Sequence, residues 1–286
     1  MPDLPDDLED LLALALDAAV AGGEVLSRHA QRIERIPTES KGSRRELVTA
    51  ADREAEAAVV GKILAGRPGD AVLAEEGALT PAGRVSREAR HLWIVDPLDG
   101  TTNFVHGLPY HAVAVGLTID GVPAVGVVHA PALGRTWAAA TGLGATRDGA
   151  VIRVSQTDEL ADALVATGFS YARHQPGHED NVDRIRAVLP ACRDLRRYGS
   201  AQLDLCLVAD GSMDGYWELD LAPYDVAAGA VVVREAGGVV TDLRLGDDWL
   251  YGGRILATNG GVHAELSSIV GDDGAWVSVP GGSGAQ

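Results

Sequence analysis

Residues 93–103 read Trp93-Ile94-Val95-Asp96-Pro97-Leu98-Asp99-Gly100-Thr101-Thr102-Asn103. Trp93, Ile94 and Val95 are a short apolar run of β-prone residues, the pattern of a buried strand reaching its end. Asp96 and Asp99 follow, three apart, with Pro97 stiffening the backbone between them. Two carboxylates and the Leu98 carbonyl are thereby delivered to one spot. Gly100-Thr101-Thr102 then offers amide hydrogens and hydroxyls where a helix can begin, a setting that suits an anion. Carboxylates for hard cations beside donors for an oxyanion are the parts of metal-assisted phosphoryl chemistry. Taken alone, the stretch is equally a strand–turn–helix junction with a capping Asp.

Two further segments carry acids in comparable settings. Val72-Leu73-Ala74-Glu75-Glu76-Gly77 is an apolar run ending in paired acids before a loop. Far downstream, Tyr216-Trp217-Glu218 is followed by Pro223-Tyr224-Asp225-Val226-Ala227-Ala228-Gly229. Pro223 fits the first position of a helix and Gly237 its end, which puts Asp225 in the first turn. An acid there also complements the helix dipole with no further role.

Composition narrows the class. The chain has 286 residues, 46% hydrophobic and 23% charged, so it can bury a substantial core as one large or two closely packed units. Aromatics are only 5%, which leaves the core to Ala, Val and Leu. A formal charge of −17 argues against nucleic acid as a partner, since phosphate contacts need clustered Lys and Arg. A small phosphate ester stays compatible once divalent cations neutralise the acids around it. Cys192 and Cys206 imply neither a disulfide framework nor a zinc site. The acidic start lacks a signal peptide's basic region, and no apolar run reaches the roughly 20 residues needed to span a bilayer. A cytoplasmic protein without membrane contact is expected.

Along the chain, Asp6 or Asp7 can cap a helix through Leu8, Leu12, Ala15 and Ala19, ending near Gly22-Gly23 or continuing beyond it. Thr49 reads as the cap of a second helix with Ala55, Ala58, Val59 and Ile63 as its apolar face, which sets Asp52 in the first turn. Residues 112–119 and 122–129 flank Asp120-Gly121, a strong hairpin signal. Residues 136–140 and the segment around Asp148-Gly149 extend an antiparallel meander. After about residue 155 strands and helices alternate, at 163–167, 179–189, 203–209, 215–218, 226–236 and 254–258. The natural division is an N-terminal α+β part over 1–150, a C-terminal α/β part over 151–275, and a Gly-rich disordered tail over 276–286. His174 and His178 are separated by Pro176 and Gly177 and read as loop residues. No Gly-x-Ser-x-Gly elbow, Walker A loop or His-Glu-x-x-His occurs.

The chain resembles the inositol monophosphatase family. The resemblance rests on Glu75-Glu76, on Asp96 to Phe104 and on Pro223 to Gly229. It also rests on Lys41 to Asp52 with Leu47-Val48-Thr49-Ala50-Ala51-Asp52, and on Gly199-Ser200-Ala201 upstream of Glu218. These blocks run in the family's order from about residue 8 to about 260. Two departures are Tyr224 in the place of the family's usual Trp and Ala222 where animal members carry a His.

The resemblance implies a layered αβαβα sandwich of the sugar-phosphatase type with its site between the two parts. It implies a homodimer that hydrolyses inositol monophosphate or a similar small polyol phosphate with two or three Mg²⁺ ions. Glu75, Asp96 and the Leu98 carbonyl would hold one ion, and Asp96, Asp99 and Asp225 a second. Glu75 and Thr101, the latter positioned by Asp52, would activate water. Asp99, Gly100, Thr101, Ser200, Ala201 and Glu218 would contact the substrate, and a loop at Lys41 would close over the metals. Relatives that act on fructose 1,6-bisphosphate, histidinol phosphate or 3′-phosphoadenosine phosphates mark the alternative substrates. A regulatory binding protein that retained the fold is the alternative of another class.

Overall fold

The structure is a computed structural model that describes residues 8–33, 41–75, 77–79, 89–175 and 178–271. Helix α1 (Leu8–Ile33) buries Leu8, Leu11, Ala15, Ala18, Val25 and Leu26 on one face. It runs straight through Gly22-Gly23. A Cβ on Gly22 would fall 2.7 Å from Val59, and one on Gly23 would fall 2.3 Å from the His129 ring. The glycines are there to let the helix sit close to its neighbours and do not end it.

Helix α2 (Lys41–Gly66) corrects the expected start. Thr49 lies inside the helix and does not cap it, and Asp52 is the twelfth residue of the helix, well past the first turn. Arg44, Arg45, Glu46 and Leu47 propagate a helix well, so Thr49 is simply absorbed. Asp52 instead falls on the buried stripe with Ala55, Val59 and Ile63, at helical spacing. Lys41 opens the helix, which corrects its assignment to a loop, and the placement of its side chain lies outside the description. The Asp6 and Asp7 caps, Glu76 and the C-terminal tail also lie outside the described residues.

Strands β1 (Ala71–Ala74), β2 (Ala78–Leu79), β3 (His91–Asp99), β4 (Ala112–Ile119), β5 (Val122–Ala130), β6 (Arg135–Ala140), β7 (Gly144–Arg147) and β8 (Ala150–Val151) form an eight-stranded sheet in the order β2-β1-β3-β4-β5-β6-β7-β8. Only the β1–β3 pair is parallel. Both tight hairpins use an Asp-Gly pair at positive φ, with Asp120 at 50° and Asp148 at 54°. Short helix α3 (Thr101–Val105) follows β3.

Beyond residue 160 come β9 (Leu164–Thr167), α4 (Val182–Val188), β10 (Asp194–Arg196), α5 (Ala201–Ala209), β11 (Gly215–Leu219), α6 (Pro223–Glu235), β12 (Val239–Thr241), β13 (Arg254–Thr258) and α7 (His263–Val270). Their strands form a second sheet, β10-β9-β11-β13-β12. β10, β12 and α7 carry too few residues in too weak a pattern to stand out in the sequence.

Side chains alternate across β3. Leu92 and Ile94 join the core between the sheets, while Trp93 and Val95 join the core under α1 and α2. Helices α5 and α6 fill the space between the sheets, and α4 and α7 cover the far face of the second. The layers are therefore αβαβα, as the resemblance implied. Helix α6 seats very closely on the first sheet. A Cβ on Gly126 would fall 2.2 Å from the Ala228 carbonyl, and one on Gly116 would fall 2.9 Å from Ala227. Among the described residues no helix is long and apolar enough to cross a membrane.

Candidate active site

The site lies where β3 ends. Three residues apart on a regular strand, Asp96 and Asp99 would face opposite sides of the sheet. The β3–β4 register shifts between them, and this bulge at Pro97 turns both carboxylates into one cleft. The Asp96 carboxylate accepts the Leu98 amide at 3.0 Å, and the Thr101 hydroxyl donates to the Leu98 carbonyl at 3.0 Å. Gly100 adopts φ +86°, and a Cβ there would strike the Tyr110 carbonyl at 2.6 Å. Only glycine fits that turn.

The second half of the chain closes the cleft. Ser200 caps α5, and its hydroxyl donates to Asp99 Oδ2 at 2.5 Å. The amides of Ala201 and Gln202 donate to Asp99 at 3.2 and 2.8 Å. Asn103 donates to the carbonyls of Tyr110 and Tyr198, at 2.6 and 2.8 Å, and so binds α3 to the approach to α5. Asp225 stands in the first turn of α6 as expected, accepting the Ala222 amide at 2.6 Å. Gln202 ties α5 to α6, donating to the Tyr224 carbonyl at 2.6 Å and accepting the Gly229 amide at 2.7 Å.

The resulting cleft, about 260 Å³, is lined by Glu75, Asp96, Leu98, Asp99, Gly100, Thr101, Ser200, Ala201, Glu218 and Asp225 among others. Ten positions read from the sequence thus meet in one place. Asp52 stands apart from the lining, buried on α2, which packs against α3. Phe169, Tyr171, Arg197 and Asp220 also line the cleft, and the sequence reading did not pick them out. A single sequence holds no periodicity or spacing that marks such residues as part of the rim, even where, as at Arg197 and Asp220, they lie within a few positions of Ser200 and Glu218.

The acids titrate abnormally. Burial pushes Asp96 well above the usual carboxylate range, and the charges of Asp99, Glu75 and Asp225 push the same way. Burial raises Asp99 to about 6 against the bonds from Ser200, Gln202 and Ala201. Asp225 rises to about 7, again through burial, and the Ala222 amide opposes the shift. Glu218 rises to about 7 by burial, held down by the Tyr216 hydroxyl, which donates to it at 2.6 Å, and by the charge of Arg197.

Buried carboxylates that repel one another need a compensating cation. The donors are all oxygen, four carboxylates and the Leu98 carbonyl, which suits a hard divalent ion such as Mg²⁺ over zinc. Among the described residues no three acids, histidines or cysteines are gathered closely enough to hold an ion as they stand. Glu75 is exposed beyond the end of β1, and Asp99 is turned to α5. The donor chemistry nonetheless fits a hard metal ion.

The chain is thus a two-sheet αβαβα protein with an acidic cleft between its halves. The model of the inositol monophosphatase family matches residues 7–272, and the chain belongs to that family. It is 41% identical over 272 residues to an inositol-1-monophosphatase of Synechocystis, an alignment that covers 95% of this chain and 92% of that protein. Over 264 residues it is 39% identical to the Nus factor SuhB of Vibrio cholerae, covering 92% of this chain and 96% of the other. Among solved structures, the inositol monophosphatase of Anabaena (Nostoc) superposes with a TM-score of 0.82 at 39% identity, covering 94% of this chain and all of that one.

Proposed function

We propose that this chain hydrolyses the phosphate monoester of inositol or of a similar small polyol, with Mg²⁺ held by its acid cluster. As a member of its family it is a phosphatase, a phosphoric monoester hydrolase. The observation that carries the reading is the meeting of Asp96, Asp99 and Asp225, from a bulged strand end and a helix start, in one cleft with Glu218.

Glu75, Asp96 and the Leu98 carbonyl would hold one ion, and Asp96, Asp99 and Asp225 a second. Bound magnesium supplies charge neutralisation at the ester and acidification of water. The chain's own groups do the rest. The Thr101 hydroxyl orients the attacking water beside Glu75, whose carboxylate takes its proton. Asp52, an acid on an otherwise apolar face of α2, keeps Thr101 in position. The amides of Gly100 and Thr101 meet the phosphate oxygens. Positioning and charge stabilisation of this kind supply most of the barrier reduction in phosphoryl transfer.

Phosphate release from myo-inositol 1-phosphate, fructose 1,6-bisphosphate, histidinol phosphate and 3′-phosphoadenosine 5′-phosphate, with Mg²⁺ or with chelator, tests the reading. Fastest release from the inositol ester, abolished by chelator, is expected. Preference for fructose bisphosphate would move the substrate to a sugar bisphosphate. Relatives named Nus factor bring a second reading, a binding role on the same fold. Full retention of the mutually repelling acids favours catalysis, since a binding protein would carry their cost without use.

A further inference from the structure

Besides its acids, the cleft holds a group that neither metal nor phosphate chemistry uses. Arg197 is the one cation lining the cleft among the described residues. Its side chain is exposed, with the guanidinium 5.7 Å from the centre of the Phe169 ring, and it makes no hydrogen bond or ion pair with a described residue. The guanidinium carries five donors, and none has a partner among the described residues.

Two glycines shape this part of the cleft. A Cβ on Gly199 would fall 2.2 Å from Arg197 Nη1, and one on Gly168 would fall 2.0 Å from both carboxylate oxygens of Glu218. Each polar head rests on bare backbone that any other residue would fill. Tyr216 occupies Glu218 Oε2 and leaves Oε1 to accept.

We infer that Arg197 is a further specificity-determining residue: beside Glu218, whose contact with the substrate the family resemblance already implies, it donates to the neighbouring hydroxyl of the polyol, so that the two form a clamp. The inference rests on the phosphomonoesterase reading and names what recognises the leaving group. A hydroxyl both donates and accepts, so a vicinal diol matches a carboxylate beside a planar guanidinium. A second phosphate on the substrate would face Glu218 and Asp220 as well as Arg197, whereas a neutral polyol meets no such repulsion. The positive charge of Arg197 also opposes protonation of Glu218 and so maintains it as an acceptor.

The test compares Arg197→Met, Glu218→Gln and the double variant of the Mg²⁺-loaded protein on myo-inositol 1-phosphate and 4-nitrophenyl phosphate. Arg197 is exposed, so the variants should fold, and melting curves check it. The selectivity, kcat/KM for the inositol ester over the aryl ester, is expected to fall roughly 10- to 100-fold in each single variant, mainly through KM. The double variant should lose less than the product of the two, because both hold one ring. Arg197→Lys should recover part of the loss. Unchanged selectivity, or equal loss on both esters, overturns the clamp. A loss seen only with fructose 1,6-bisphosphate overturns it in favour of a second phosphate site. If no ester is hydrolysed, the phosphatase reading fails, and calorimetric binding of myo-inositol 1-phosphate to wild type and Arg197→Met still decides the clamp.

Discussion

Asp96 shows how one residue serves function at the expense of stability. It is 2% exposed and surrounded by three other acids, yet its only hydrogen bond described is the one from the Leu98 amide. Asp96→Asn keeps an acceptor for that amide and removes a repelling charge. Turnover is expected to fall more than about 100-fold, ~2.7 kcal/mol of barrier, while the chelator-treated variant melts several degrees above wild type. Steady-state kinetics and thermal melts check both, and a rate loss under tenfold would remove Asp96 from the ligand set. Asp52 was singled out only by the family resemblance, since the residues alone set it in a first turn, and the structure puts it instead on the buried stripe of α2 with Ala55 and Val59. Arg197 was not legible. Asp194-Leu195-Arg196-Arg197 has ordinary surface composition, and only the path of the chain into α5 carries Arg197 to the cleft.

Elements here are placed by glycines as much as by apolar faces. Gly126→Ala would drive a Cβ into the backbone of α6, whose carbonyl at Ala228 cannot yield as a side chain does. A loss of about 1–3 kcal/mol is expected, with a fall in activity, because α6 carries Asp225. Gly61, inside α2, has nothing within reach of an added Cβ. Gly61→Ala should therefore stabilise by up to ~1 kcal/mol through helix propensity alone. Urea unfolding of the two variants measures the contrast, and a neutral Gly126→Ala would mean that α6 does not seat on β5. Local chemistry made the Asp120-Gly121 hairpin and the Pro223 start of α6 readable. The start of α2 was misread because Thr49 is as acceptable within a helix turn as at its cap.

At the scale of the molecule the acid cluster makes stability depend on pH and metal together. Asp99 and Asp225, at about 6 and about 7, lie above the ~3.9 of an unfolded chain. Between these values the folded state binds more protons than the unfolded one, so stability in chelator falls as pH rises from about 4 through 7. Saturation with Mg²⁺ to ~100-fold over its dissociation constant should return roughly 2.7 kcal/mol. Melting temperatures at pH 5 and pH 8, in chelator and in Mg²⁺, are expected to show a higher chelator value at pH 5 and a Mg²⁺ gain concentrated at pH 8. A melting curve at pH 8 that ignores Mg²⁺ would count against the metal site.

By itself the sequence determined the strand that ends in Asp96 to Asp99, the helix that starts before Asp225, and the acids of the cleft, whereas the layer order came only with the family resemblance. These follow from hydrophobic periodicity, turn residues and first-turn chemistry, which act over a few neighbours and leave their mark in short stretches. Tertiary structure decided the rest. The bulge at Pro97 turned two carboxylates to one side, the N-terminus of α5 took hold of Asp99 from a hundred residues away, and two glycines made room for the heads of Arg197 and Glu218. Such features depend on which backbone meets which in space, and contacts between distant segments have no period along the chain.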